Sequence, residues 1–113
     1  MRDTKIVYKT WGKEYWIENN DLYCGKVLIC HEGKWSSGNR YHHHRIKDET
    51  FYIEQGSLLL VVEQNGNAVD IILDEGDSYR IAPGTKHKFM SPSGTCKFFE
   101  FSTKHSDDDS YYE

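Results

Sequence analysis

His42-His43-His44 is the feature of this sequence with the clearest chemical potential. In an extended strand residues two apart share a face, so His42 and His44 point one way and His43 the other. Two imidazoles at that spacing can chelate a metal ion. The triplet is internal, so an expression tag does not account for it. Glu49 follows after Arg45-Ile46-Lys47-Asp48, and on one flat strand it would fall on the wrong face. A reversal within those four residues instead places Glu49 on the neighbouring strand, opposite the histidines. Glu49, Phe51 and Ile53 then face inward, with Thr50, Tyr52 and Glu54 outward. A carboxylate in an apolar interior costs several kcal/mol unless something compensates it, and a metal ion is a natural partner.

His87 supplies the fourth piece. Pro83-Gly84 makes a tight turn, after which His87 and Phe89 share the inward face of the next strand. Three imidazoles and one carboxylate make a divalent-metal site with positions left for water or substrate. An isolated His-x-His is usually surface chemistry, and a lone histidine after a turn is usually a turn residue. Combined, His42, His44, Glu49 and Gly56, followed by Gly76, Pro83, Gly84 and His87, are far more specific.

These residues need rigid strands to hold them, and the sequence supplies strand signals. Turns fall at Asn19-Asn20, Gly33 to Asn39, Gln55-Gly56, Asn65-Gly66, Glu75-Gly76, Pro83-Gly84 and Ser91 to Gly94. From Gly56 onward they recur about every ten residues, the beat of short antiparallel strands. The intervening segments Phe51 to Ile53, Leu58 to Val62, Val69 to Leu73, Tyr79 to Ile81 and Phe98 to Phe101 are β-branched and aromatic. Gln64-Asn65-Gly66-Asn67 is a hairpin signal. No segment shows helical periodicity. The expectation is an all-β, closed or sandwiched barrel of roughly eight to eleven strands.

With 113 residues and 37% hydrophobic content, the chain suits a single domain with one core. Mean hydropathy is −0.76, and no apolar run approaches a membrane span. The opening Met1 to Thr10 has no secretory-type apolar stretch, so a cytoplasmic protein is expected. A net charge of −4 argues against nucleic acid as partner. Cys24, Cys30 and Cys96 match neither a zinc ribbon nor a disulfide framework, and read as reduced core thiols. Residues 1–18, with Trp11, Tyr15 and Trp16, read as an early strand packed on the barrel or on a partner subunit. Residues 103–113 are acidic and polar, and a frayed tail is the expectation.

The two histidine motifs resemble those of a single-domain cupin, a double-stranded β-helix or jelly roll. The resemblance implies His42, His44, Glu49 and His87 as ligands of one divalent ion: zinc, manganese, iron, nickel or cobalt. It departs at Gly38, four residues before His42 where six is usual, and at Ala82, where proline is common. Neither change removes a ligand. A narrower likeness runs through Trp11-Gly12-Lys13-Glu14, Tyr23 to Lys26, Asp48 to Tyr52 and Phe99 to Thr103. These stretches are similar to sugar-isomerase-type cupins, relatives of D-lyxose isomerases and of the cupin domain of type II mannose-6-phosphate isomerases. Asp108 to Tyr112 resembles their tail, with Tyr112 where arginine would stand.

That resemblance implies a metal-dependent aldose–ketose isomerase acting on a sugar or sugar phosphate, and a homodimer. Isomerisation needs an electrophile at the oxygens and a base that moves a proton between carbons. Glu100, Lys86, Lys47 and Glu32 are candidate acid–base groups. For Glu100 the pattern argues against the role, because inward-facing Phe99 and Phe101 would turn it outward. Tyr41, Tyr52 and Trp35 are candidate sugar-binding residues. Arg40, Arg45, Lys47, Lys86 and Lys88 are the cations available for a phosphate. His31 reads as a solvent-facing strand end, and His105 either closes over the cavity with Asp107 to Asp109 or frays with the tail. Two other functions suit the same ligands: a mononuclear iron dioxygenase, and a non-catalytic sugar-binding cupin.

Overall fold

A computed structural model describes residues 4–113. Eleven strands run through them: β1 (Lys5–Lys9), β2 (Gly12–Asn19), β3 (Cys24–Cys30), β4 (His42–His43), β5 (Glu49–Gln55), β6 (Leu58–Gln64), β7 (Asn67–Leu73), β8 (Ser78–Ile81), β9 (His87–Met90), β10 (Cys96–Ser102) and β11 (Tyr111–Tyr112). Single 3-10 turns occupy Ser36–Asn39 and Asp107–Asp109. The strands form two antiparallel sheets, ordered β1-β2-β3-β10-β5-β8 and β11-β4-β9-β6-β7. The all-β architecture expected from the turn spacing, and the jelly roll that the resemblance implies, are therefore observed.

Alternation of side chains explains how the sheets face each other. Along β3, Cys24, Lys26, Leu28 and Cys30 are buried; along β5, Glu49, Phe51 and Ile53 are. Leu58, Leu60 and Val62 of β6, with Phe89 of β9, meet them from the second sheet. Phe51, Phe89 and Phe98 pack at the centre with ring centroids 5.0 to 5.9 Å apart. The β6–β7 hairpin turns on Asn65 (φ 53°) and Gly66 (φ 80°), a pair of left-handed residues that matches the strand twist. Gly12 has a different reason: a Cβ there would run into the Ile29 carbonyl oxygen, so only glycine lets β2 start against β3. The three cysteines are free and buried. Among the described residues no helix is long and apolar enough to cross a membrane.

Three expectations are corrected. Phe99 and Phe101 do not face inward on β10: Cys96, Phe98 and Glu100 do, leaving Phe101 56% exposed and Glu100 4% exposed. Phe98-Phe99-Glu100-Phe101 has apolar residues on both faces, so its pattern is ambiguous. Pairing sets the phase instead, placing Phe98 opposite Leu28 and Glu100 opposite Lys26. Second, Glu49 does not lie on a strand beside the histidines. Strand β5 pairs with β10 and β8, so Glu49 faces them from the other sheet. Third, the acidic tail is not frayed: β11 pairs with β4, and Glu113 exchanges backbone hydrogen bonds with Tyr41.

Candidate metal centre and cavity

The tight Pro83-Gly84 turn delivers β9 beside β4, so that His42 and His87 stand opposite each other in the ladder. His44 follows the end of β4, held by a hydrogen bond from the Gly84 amide to its carbonyl at 2.6 Å. One ligand atom from each of His42, His44 and His87 lies within 4.8 Å of the others. His43 faces away and stacks on Tyr111 at 5.2 Å. Glu49 reaches the trio across the interior, with Oε2 at 3.3 Å from His44 Nε2.

Backbone carbonyls set the tautomers of two of these rings. His44 Nδ1–H donates to the Asp109 carbonyl at 2.9 Å, and His87 Nδ1–H donates to that of Thr85 at 2.9 Å. Each neutral ring therefore carries its lone pair on Nε2. Burial keeps both rings neutral, pushing His44 and His87 down to about 4 and His42 well below 6.5. His87 Nε2 and Glu49 Oε2 are buried without a hydrogen-bond partner among the described residues. The lone pairs of His44 Nε2 and Glu49 Oε2 thus face each other at 3.3 Å, an arrangement that only a proton or a metal ion between them stabilises. Burial, reinforced by the charge of Glu100, pushes the Glu49 carboxyl upward. The donor set fits a divalent ion: imidazole nitrogens preset as acceptors, plus an unsatisfied carboxylate.

Beside this group runs a cavity of about 200 Å³. Lys47 crosses its floor: Nζ donates to Glu100 Oε2 at 3.1 Å, meets His105 Nδ1 at 3.2 Å and lies 3.9 Å from Glu49. Burial would raise Glu100, but the ammonium groups of Lys47 and Lys26 outweigh it and hold the carboxyl down. Burial would likewise lower Lys47, and its carboxylate neighbours reverse that. His105 Nε2–H donates to Asp107 at 2.9 Å, and burial holds this ring below its ordinary value. Asp109 clamps the loop between β4 and β5. Its carboxylate accepts from the amides of Arg45, Ile46 and Lys47 at 2.9 to 3.2 Å, while its carbonyl holds His44.

The cavity gathers His42, His44, Glu49, Lys47 and Glu100. The other sequence candidates lie elsewhere. Glu32 is exposed and accepts from the Gly94 amide at 2.7 Å. Lys86 pairs with Glu113 at 2.7 Å, and Tyr52 stacks on Phe99 on the outer face. Trp35 and Tyr41 each sit 5.0 Å beneath the Lys88 ammonium, outside the cavity. Arg40 and Arg45 cover Tyr112 and Tyr111 rather than the cavity. His31 is exposed. Sequence reasoning missed Glu14, Trp16 and Lys26 as cavity residues. Period-2 alternation from Leu28 back to Lys26 is the signal that could have found Lys26, since it places the lysine on the core face.

Two facing antiparallel sheets with an inward histidine cluster and a cavity beside it define a jelly-roll protein. The cupin domain family model matches residues 27–101, and the chain belongs to that family. No curated protein sequence matches it. Among solved structures it is similar to the capsular polysaccharide assembling protein CapF from Staphylococcus aureus, with TM-score 0.83 and 15% identity over 99% of this chain and 34% of that one. Oxalate decarboxylase from Bacillus subtilis gives TM-score 0.83 and 15% identity, covering 97% and 30%. KdgF from Halomonas sp. gives TM-score 0.76 and 15% identity, covering 95% and 92%. The chain thus spans about a third of the first two and nearly all of the third. At these identities the likeness establishes the fold.

Proposed function

We propose that this chain is a metal-dependent cupin enzyme that interconverts an aldose and a ketose, free or phosphorylated. The observation that carries the proposal is the buried Lys47–Glu100 pair at 3.1 Å, set in one cavity with His42, His44 and Glu49. His42, His44, His87 and Glu49 would hold the ion. When bound, a divalent ion supplies Lewis-acid polarisation of carbonyl and hydroxyl oxygens.

The chain's own residues do the rest. Glu100, kept ionised by Lys47 and Lys26, takes the proton from the carbon next to the carbonyl and returns it to the adjacent carbon. Lys47 offers N–H to the oxygen where negative charge develops, and its bonds to Glu100 and His105 fix its direction. Trp11, Trp16 and Phe89 wall the cavity and limit water around the sugar carbons. The reading includes a homodimer, carried over from the resemblance and checked by sedimentation equilibrium.

The test is an NMR assay of metal-loaded protein in D2O with hexoses and pentoses, free and phosphorylated. Interconversion with deuterium appearing at the carbon that accepts the proton is expected. Glu100→Gln should lower kcat by about a hundredfold or more without changing metal content. No interconversion of any of these sugars would overturn the isomerase reading. Iron-dependent oxygen uptake would favour oxygen chemistry, and sugar binding without turnover a binding module.

A further inference from the structure

The same cavity holds Lys26, which the isomerase reading uses only for its charge beside Glu100 and to which it assigns no ligand. Lys26 extends inward from β3 and is 4% exposed. Its ammonium stands 3.7 Å from Glu14 and 3.9 Å from Glu100, both beyond hydrogen-bond distance, and rests 4.2 Å over the Trp16 ring. An ammonium carries three donors, and its two carboxylate neighbours stand at ion-pair rather than hydrogen-bond distance, which leaves donors for a ligand in the cavity. Glu14 is committed elsewhere, accepting from Trp16 Nε1 at 2.9 Å. Lys5 and Lys9 of β1 also line the cavity, Lys5 level with Trp16 and 4.3 Å from its ring.

Charge points the same way. Lys5, Lys9, Lys26 and Lys47 line the cavity together with Glu14, Glu49, Glu100 and Asp107, so four positive groups balance four negative ones. A divalent ion at the histidines leaves that cavity with two positive charges. A neutral sugar leaves this charge and the Lys26 donors uncompensated, whereas an anion satisfies both.

We propose that Lys26, assisted by Lys5 and Lys9, is the binding site for an acidic group on the substrate, a carboxylate or a phosphate remote from the carbon atoms that react. This rests on the small-molecule reading of the cavity and deepens it: the substrate is an acidic sugar. Trp16 positions the Lys26 ammonium and shields it from water.

The experiment titrates metal-loaded full-length protein with D-glucuronate, D-glucose 6-phosphate and D-glucose by calorimetry. At least one of the acids should bind about ten- to hundredfold more tightly than glucose, and added salt should reduce that advantage. Which acid binds tells carboxylate from phosphate. Lys26→Met should erase the preference while bound metal stays at its wild-type level. Should Lys26→Met fail to fold, Lys5→Gln with Lys9→Gln, both at exposed positions of β1, should weaken acid binding several-fold. Equal affinity for acid and neutral sugar, no binding of either acid, or a preference that survives Lys26→Met would overturn the proposal. Acid-selective binding without interconversion upholds it and rejects the isomerase. Interconversion of neutral sugars alone does the reverse.

Discussion

Acidifying the metal-free protein tests the histidine cluster most directly. His44 and His87 titrate at about 4 in the folded chain against 6.5 when unfolded. The unfolded state therefore takes up protons first, and stability must fall as pH drops from 6.5 toward 4. Each shift corresponds to ~3 kcal/mol, and neither needs discounting for solvent, since both rings are buried. Glu49 acts with the opposite sign: raised in the fold, it makes the folded state bind the extra proton above 4.5. Counting two histidines against one carboxyl, the net loss from pH 6.5 to 4.5 is ~2 kcal/mol, and His42, also lowered, adds to it. That is a large fraction of the roughly 5–15 kcal/mol that holds a typical domain folded. Above pH 6.5 only the Glu49 contribution remains, so stability declines again toward pH 8. The metal-free protein should show a maximum near pH 6.5 in urea unfolding with chelator present. His87→Leu should remove ~1.4 kcal/mol per pH unit from the acid slope. A flat profile between pH 6.5 and 4.5 would refute the claim that buried neutral imidazoles build this site.

Other consequences follow from the same geometry. His42→Ala combined with His44→Ala should abolish stoichiometric metal by elemental analysis while circular dichroism stays strand-like. Glu54→Gln, on the exposed end of β5, should leave metal content unchanged. Asp109→Ala removes the acceptor of three consecutive amides and loosens the loop that carries His44. It should lower stability by ~2–4 kcal/mol in denaturant titration and metal affinity about tenfold, and retention of both values would show that the clamp is dispensable.

Much of this site is legible locally. Alternation by two places His42 and His44 on one face and Glu49, Phe51 and Ile53 on one face, because strand geometry leaves no other choice. Asn65-Gly66 specifies its turn because only residues tolerant of positive φ connect twisted strands in two residues. Glycine and asparagine signals bound the strands for similar short-range reasons. Such rules act over a few residues, so the sequence states them in full.

Tertiary structure decided the rest. The phase of β10 is not written in Phe98-Phe99-Glu100-Phe101, where either face could be buried; pairing with β3 turns Glu100 inward toward Lys26. Lys26 meets both Trp16 and Glu100 only because β2, β3 and β10 lie side by side in one sheet. The acidic tail reads as solvent-loving, yet Asp109 is buried because three free amides of the Arg45–Lys47 loop need an acceptor. The clustered histidines His42 and His44 could thus be named from the sequence, since their spacing is a property of a single strand. The charged residues that line the cavity could not, because their neighbours come from strands many residues away. Hydrogen-bond register between those strands, rather than local pattern, brings them together.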